Sequence, residues 1–224
     1  MRALGLDGYS KGWVAVLLDG DRQTITFHTN VSDALARDFD RAAIDIPIGM
    51  TDDGKRTCDL LARKKLHPHT SRVFTGARRW LWEEYDDPDA ANREAHRRGQ
   101  KRVSRQLWHL GPKIMEVDDF LRAHRSLDVL EVHPELVFLR LSRGKPLPSK
   151  KTEEGVSRRS ALLKRQGVHQ IGTWLASTRI GTGAKRDDVL DACAVAIAAR
   201  DPACSVPKGA PPFDGYALPM QIWF

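Results

Sequence analysis

Acidic residues interrupt apolar segments in three separate parts of the chain. Asp7 ends the first apolar run, Asp45 lies inside the run 43–46, and Glu131 lies inside the run 130–132. Carboxylates are rarely buried in proteins unless they pair with a cation or bind a metal ion. Each acid falls on a different predicted strand, and neighbouring strands would bring these like charges close together. A divalent cation among them would remove that repulsion.

Two further acids, Asp188 and Asp191, stand near the start of a late predicted helix. Their i, i+3 spacing places both on one helix face. Asp188 is equally well explained as a first-turn residue that favours the helix dipole, whereas Asp191 lies where the helix is already turning apolar. Oxygen ligands at this density suit Mg²⁺ or Mn²⁺ better than zinc. A two-metal phosphodiesterase site needs about three or four carboxylates. The sequence offers five candidates: Asp7, Asp45, Glu131, Asp188 and Asp191.

Apolar runs and turn signals predict the strands that would position these acids. Asp19-Gly20-Asp21 is a strong hairpin signal, because Asp-Gly accepts the positive φ angles of a two-residue turn. It joins the second and third strands of a predicted meander. Pro47 and Pro134 end the fourth and fifth strands. The predicted strands cover residues 2–7, 13–18, 23–29, 42–48 and 129–132.

Helical patterns follow the strands. The segment 187–200 starts with acids and continues almost entirely with small apolar residues, which predicts a helix buried against a sheet. Shorter helices are predicted at 32–39, after an N-cap at Ser32, and at 136–141 and 156–166.

A long charged segment separates the fourth strand from the fifth. Between about 51 and 125, charged residues crowd in and strand patterns vanish, which indicates a mainly helical insertion. We therefore predict a single α/β domain over residues 1–224. Its mixed five-stranded sheet would be flanked by helices and interrupted by this insertion after the fourth strand.

Composition excludes several classes of protein. The 41% hydrophobic content of the 224 residues predicts a globular chain rather than a disordered one. The three cysteines form no CxxC pair, which argues against a disulfide framework and a thiolate zinc site. No apolar stretch is long enough to span a bilayer and no signal peptide opens the chain, so we expect a cytoplasmic protein without a membrane partner. The net charge of +7 suits a nucleic-acid partner without requiring one.

Six short strings occur in a fixed order along the chain. They are Gly5-Leu6-Asp7-Gly8 with Gly12-Trp13-Val14, Asp45-Ile46-Pro47-Ile48-Gly49, Pro112-Lys113-Ile114-Met115-Glu116-Val117-Asp118, Glu131-Val132-His133-Pro134-Glu135, Ser149-Lys150-Lys151-Thr152, and Asp187-Asp188-Val189-Leu190-Asp191-Ala192. With the end Ile222-Trp223-Phe224, they resemble a bacterial and archaeal family of unknown function that is described as predicted RNase H-like nucleases. The resemblance covers nearly the whole chain.

The resemblance implies an RNase H-like fold and a set of metal ligands. In enzymes of that fold the metals are held by an acid of the first strand, an acid of the fourth strand and acids of the last helix. By position these would be Asp7, Asp45, and Asp188 with Asp191. Glu131 has no equally firm counterpart, because its strand lies further from the first. Tyr9 departs from the pattern, since relatives often carry a small residue or a cysteine there.

Basic residues supply candidate contacts to a phosphate backbone. Arg93, Arg97, Lys101 and Arg105 recur every four residues on a predicted helix, close to three tryptophans. A solvated helix face over packed tryptophans explains them equally well. The candidate substrate-binding residues are Arg97, Arg105, Lys113, Lys150 and Lys151. Two residues after Glu131, His133 could move a proton, although a hydrogen-bonded core histidine is the more common role for such a residue.

The leading hypothesis is a metal-dependent nuclease that hydrolyses phosphodiesters with Mg²⁺ or Mn²⁺. A second hypothesis keeps the fold without the chemistry, as a nucleic-acid or protein binding module with structural acids. A weaker third is an actin-like ATPase, because an early acid and a glycine turn also open that fold. The sequence leaves open DNA or RNA, the strandedness of the substrate, endo or exo cleavage, and the oligomeric state, a dimer included.

Overall fold

The computed structural model describes residues 1–177 and 183–224, and the chain divides into two compact units. The first unit contains residues 1–46, 126–205 and 223–224. The second unit contains residues 47–125 and 206–222. The range predicted as an insertion, about 51–125, therefore falls wholly in the second unit.

The predicted α/β class is confirmed, and the described residues form seven strands where five were expected. The mixed sheet has the order β3-β2-β1-β4-β5-β7-β6. The two additional strands are two residues long each, too short to produce a pattern of alternation. The strands are β1 (Arg2–Tyr9), β2 (Gly12–Asp19), β3 (Arg22–His28), β4 (Arg41–Ile44), β5 (Val129–Val132), β6 (Ser205–Val206) and β7 (Ile222–Trp223).

Helices follow most of the predicted segments. The described helices are α1 (Val31–Leu35), α2 (Thr57–Lys65), α3 (Trp80–Glu83), α4 (Pro88–Arg97), α5 (Arg105–Ala123), α6 (Pro134–Leu141), α7 (Glu153–Arg165), α8 (Ile171–Ser177) and α9 (Arg186–Arg200), with a short 3-10 helix at Thr70–Arg72. The predicted cap of α1 is wrong. Asn30 caps this helix instead of Ser32, because the Asn30 side chain accepts the Asp33 backbone N–H at 2.8 Å. The short helix α8 was not predicted.

The meander forms as its turn residues predict. Strand β1 pairs antiparallel with β2, and β2 pairs antiparallel with β3. Gly20 has a φ of 57°, the left-handed conformation that a two-residue hairpin turn requires. Strand β4 then joins the other edge of β1 in parallel, and β5 joins β4 in parallel. The C-terminal ends of β1 and β4 consequently meet at one edge of the sheet.

Helix α9 lies directly against the middle of this sheet. A Cβ atom on Gly5 would stand 2.2 Å from the Ala196 nitrogen and 2.4 Å from the Ala192 oxygen, so only glycine permits this approach. Residues 189–199 of α9 are all buried. The predicted burial of 187–200 against a sheet is thus confirmed for most of the helix, and small side chains on α9 bring its backbone close to β1.

The second unit has its own buried ion cluster. The Arg79 guanidinium donates to both carboxylate oxygens of Asp118, at 2.9 and 2.6 Å, and to the carboxylate of Asp214. It also donates to the Met50 carbonyl at 3.2 Å. These bonds tie helix α5 to the C-terminal segment around Asp214. We refer to Arg79, Asp118 and Asp214 as the Arg79 cluster.

No helix in the part of the chain that the structure describes is long and apolar enough to cross a membrane.

Candidate metal centre

Strand geometry turns Asp7 and Asp45 toward helix α9. Gly5 faces α9, and Asp7 lies two residues further along β1 on the same face. Asp45 directly follows β4, and its backbone N–H donates to the Leu6 carbonyl at 3.1 Å. Because Leu6 pairs with Ile44 in the parallel ladder, their successors Asp7 and Asp45 share a face. Two carboxylates therefore stand side by side at the C-terminal edge of the sheet.

Helix α9 brings the third carboxylate to the same place. Asp191 lies in the second turn of the helix, where the chain already faces the sheet. One oxygen from each of Asp7, Asp45 and Asp191 lies within 4.8 Å of the other two. We call these three residues the acidic centre. The spacing allows the three oxygens to coordinate a single metal ion, which fits the hard-ligand chemistry of carboxylates.

Burial makes the negative charges of the acidic centre costly. Asp7 is 7% exposed and Asp191 is 3% exposed. Burial, reinforced by Asp191 and Asp45, raises the pKa of Asp7 well above its usual range. Burial and the nearby Asp191 raise the pKa of Asp45 to about 8. A cation at this position would offset the repulsion that these shifts report.

Lys150 is the cation that the structure places there. Its ammonium donates a hydrogen bond to Oδ2 of Asp191. Burial disfavours the charged ammonium, but the attraction of Asp191 and Asp7 outweighs it and raises the pKa of Lys150. The other oxygen of Asp191, Oδ1, is buried and accepts no hydrogen bond from any residue that the structure describes. A buried carboxylate oxygen that accepts no hydrogen bond is available to coordinate a metal ion.

Asp188 borders the acidic centre and also caps its helix. Its Oδ2 accepts the Lys185 backbone N–H at 2.6 Å, so this carboxylate is committed to the start of α9. Burial raises the pKa of Asp188 to about 6, and its charge in turn raises the pKa of Asp7. Asp188 therefore both caps α9 and adds negative charge beside the acidic centre. Tyr9 lies close enough that burial and Asp188 raise the pKa of its phenol.

Glu131 is not brought to the acidic centre. In the parallel ladder it pairs with Ile44, the residue before Asp45. Paired residues share a face and successive residues alternate, so Glu131 lies on the side of the sheet opposite Asp45. Its side chain is buried at 7% exposure. His133, two residues further along the chain, directly precedes helix α6.

Glu135 is not among the five acids predicted from the sequence, but its charge acts on the acidic centre. Its charge contributes to raising the pKa of both Asp45 and Asp191. Its carboxylate is held by the buried Arg159 guanidinium, at 2.9 and 3.1 Å. Pro134, at the first position of α6, begins the helix that carries Glu135 directly after β5.

The other predicted basic residues lie elsewhere. Lys151 is exposed in the loop next to Lys150. Lys113, Arg97 and Arg105 belong to the second unit. Arg97 pairs with Glu94 at 2.7 and 2.6 Å, and Arg105 pairs with Asp89 at 3.0 and 2.8 Å.

The tryptophans near these basic residues are packed within the second unit. Trp80 is 7% exposed, and the guanidinium carbons of Arg78 and Arg98 lie 5.1 and 4.1 Å from its ring centre. The indole N–H of Trp82 donates to the Trp108 carbonyl at 3.2 Å. Their rings contribute mainly to the interior of this unit.

Comparison with known protein families matches residues 5–209 to the family described as Protein of unknown function (DUF429). The chain belongs to this family. The match confirms the predicted family of unknown function, while the RNase H-like description stays a prediction. Within this DUF429 chain, the matched range contains all three residues of the acidic centre and Lys150. Neither the curated proteins nor the solved structures gave a match.

Proposed function

We propose that this DUF429 protein is an RNase H-like, metal-dependent nuclease that uses Mg²⁺ or Mn²⁺. The observation that carries the proposal is the acidic centre itself. Three carboxylate oxygens lie within 4.8 Å of one another, and Oδ1 of Asp191 is buried without a hydrogen-bond donor among the described residues. Such a group is costly to keep in a folded protein unless it serves a ligand.

The chain's own residues would divide the work as follows. Asp7, Asp45 and Asp191 would hold the metal, which when bound supplies a Lewis acid and lowers the pKa of water. Asp188 fixes the first turn of α9, and so helps to fix the position of Asp191 along the sheet. In the two-metal arrangement expected from the sequence, Asp188 would be the additional ligand.

The substrate would be a nucleic acid held by basic side chains. The net charge of +7 supports an anionic partner. Lys151, exposed in the loop next to Lys150, is the first candidate for a phosphate contact, and Lys113, Arg97 and Arg105 of the second unit are further candidates. Arg97 and Arg105 already pair with acids, so a phosphate would have to compete with Glu94 and Asp89.

A cleavage assay tests the proposal. Purified protein would be incubated with Mn²⁺ or Mg²⁺ and with labelled single-stranded, duplex, hybrid and branched DNA and RNA. We expect cleavage of at least one substrate, and a loss of at least about a hundredfold in Asp7→Asn and Asp191→Asn, because even changes around metal ligands cost 10–100-fold. Asp86→Asn, at an exposed acid of the second unit, is the matched control and should retain activity.

Two results would reject the nuclease. One is cleavage that survives both chelator and Asp7→Asn, which would assign it to a contaminant. The other is the absence of both cleavage and Mn²⁺ binding by calorimetry.

One observation favours a second function, a binding module with the same fold. Lys150 already pairs with Asp191, so part of the charge of the acidic centre is balanced without metal. In that case the acids would be structural, and Asp7→Asn would leave nucleic-acid or protein binding unchanged. Gel-shift assays with the wild type and Asp7→Asn in the presence of chelator would separate the two functions.

A further inference from the structure

Lys150 occupies an unusual position for a lysine in a polar loop. The loop between α6 and α7 is rich in Lys, Pro and Ser, which predicts an exposed phosphate contact. The structure instead turns the Lys150 side chain inward, with 31% of it exposed, onto a carboxylate that is 4% exposed. The charges of Asp7 and Asp45 also act on this ammonium. The Lys150 side chain therefore lies against the acidic centre, although its backbone belongs to the loop between α6 and α7.

The backbone before Lys150 is held by a buried guanidinium. Arg159 of α7 is 0% exposed and donates to the Pro148 carbonyl at 2.7 Å. The same guanidinium holds Glu135 through two bonds, at 2.9 and 3.1 Å. A buried arginine is costly unless its hydrogen bonds are used, and here they fix the loop two residues before Lys150.

The backbone after Lys150 is fixed as well. The Thr152 hydroxyl donates to the Ser149 carbonyl at 2.8 Å and accepts the Gly155 N–H at 3.1 Å. A Cβ atom on Gly155 would stand 1.9 Å from the Ser149 oxygen, so the loop passes too close to α7 for any other residue there. The contacts on both sides of Lys150 fix the position of its backbone. An exposed lysine that binds phosphate would not need such a fixed backbone.

The charges around Lys150 make it a competitor of metal. Asp191 offers two oxygens, one to the Lys150 ammonium and one, Oδ1, with no hydrogen bond from the described residues. An ammonium and a divalent ion on the same carboxylate would repel each other, and in a buried site that repulsion is weakly screened. We propose that Lys150 is a resident cation of the acidic centre, which supplies one positive charge in the absence of metal and competes with divalent metal for Asp191.

This inference rests on the metal site of the proposed function and names how that site is regulated. Lys150 would keep the metal-free centre folded and would hold the affinity for metal below what the carboxylates alone allow.

Calorimetry with Mn²⁺ tests the competition. We expect Lys150→Met to bind Mn²⁺ about tenfold or more tightly than the wild type, a difference of one decade in Kd. Lys145→Met removes an exposed cation from the same loop and should bind Mn²⁺ as the wild type does. Lys150→Gln keeps a hydrogen-bond donor without the charge and serves if Lys150→Met does not fold. Equal or weaker Mn²⁺ binding in the Lys150 variant would overturn the proposal.

A metal-free measurement keeps the inference separate from the nuclease. In chelator at pH 8, Lys150→Met should lower the thermal midpoint, because the carboxylates lose their cation, and Asp191→Asn in the same chain should restore part of it. If no protein binds Mn²⁺, the proposed function fails, and this cycle alone decides the role of Lys150. An unchanged midpoint in Lys150→Met would then reject the resident cation.

Discussion

Each of the two units buries a group of carboxylates, and the two groups are built in opposite ways. In the Arg79 cluster, a single guanidinium bonds Asp118 at 2.9 and 2.6 Å and also bonds Asp214. Arg122 adds a second cation 3.5 Å from Asp118. In the acidic centre, three carboxylates share one ammonium, and that ammonium bonds only Asp191 among them. The first group is balanced in charge and the second is not.

The pKa shifts record this difference. Burial would raise the pKa of Asp214, but its bonds from Arg79 and from the Leu218 and Met50 backbone N–H groups outweigh burial and lower it. In the acidic centre burial and like charges act together, and the pKa values of Asp7, Asp45 and Asp191 all rise. Buried acids alone do not identify a ligand site. Buried acids that remain short of cations are candidates for a ligand site, because either a bound cation or a proton would neutralise their charge.

The largest expected effect is at Arg79. Arg79→Met should destabilise the protein by about 3–5 kcal/mol, because it removes the guanidinium that the buried carboxylates of Asp118 and Asp214 share and leaves only Arg122 near Asp118. Urea unfolding measures the loss. Lys64→Met, at an exposed cation of the same unit, should change the free energy of unfolding little. A small loss at Arg79 would mean that the Arg79 cluster is not the balanced group described above.

The acidic centre should respond in the opposite direction. In chelator at pH 8, Asp7→Asn should stabilise the protein by about 1 kcal/mol or more, since each pKa unit of unfavourable shift corresponds to about 1.4 kcal/mol. Asp118→Asn, the matched change in the Arg79 cluster, should destabilise it. Mn²⁺ should raise the thermal midpoint of the wild type and leave that of Asp7→Asn unchanged. Destabilisation by both substitutions would remove the distinction between the two groups.

The pH dependence of the metal-free protein should follow the acidic centre. The pKa of Asp45 is raised to about 8 and that of Asp188 to about 6, so between pH 4 and 8 the folded state holds protons that the unfolded chain has released. Stability therefore falls as pH rises through this window, by the linkage relation. Thermal midpoints in chelator at pH 5, 6.5 and 8 should decrease, and Asp45→Asn should flatten the slope. A wild-type midpoint that rises over this window would contradict the shifts.

Local patterns were sufficient to predict much of the framework. The Asp19-Gly20-Asp21 turn forms the predicted hairpin, and the small residues of 187–200 do pack against the sheet. Asp7, Asp45 and Asp191 stood out because charge interrupted apolar runs, a signal that depends only on neighbours in sequence. Each of these signals depends on a few adjacent residues, so it can be recognised without knowledge of the fold.

The features that the sequence did not predict depend on distant pairings. Glu131 interrupts its strand as Asp45 does, but the ladder register with Ile44 decides the face, and no local pattern contains that register. Lys150 looks like an exposed loop residue until Arg159 and Gly155 fix the backbone around it. Strands β6 and β7 have two residues each, and they are strands because they pair with neighbouring strands of the sheet. The acids could be found from sequence, whereas their cation could not.

The smallest expected effect separates the two roles of Asp188. Its carboxylate caps α9 through the Lys185 N–H and adds charge beside Asp7. Asp188→Asn keeps an oxygen acceptor for the cap and removes the charge, so it should leave metal-free stability at pH 8 unchanged or slightly increased. Asp188→Ala removes both, and should be less stable than Asp188→Asn by about 0.5–1 kcal/mol, the usual contribution of a capping side chain. Urea unfolding of the two variants gives this difference directly. If both bind Mn²⁺ as the wild type does, Asp188 belongs to the framework of α9, and the acidic centre of three carboxylates with Lys150 is complete without it.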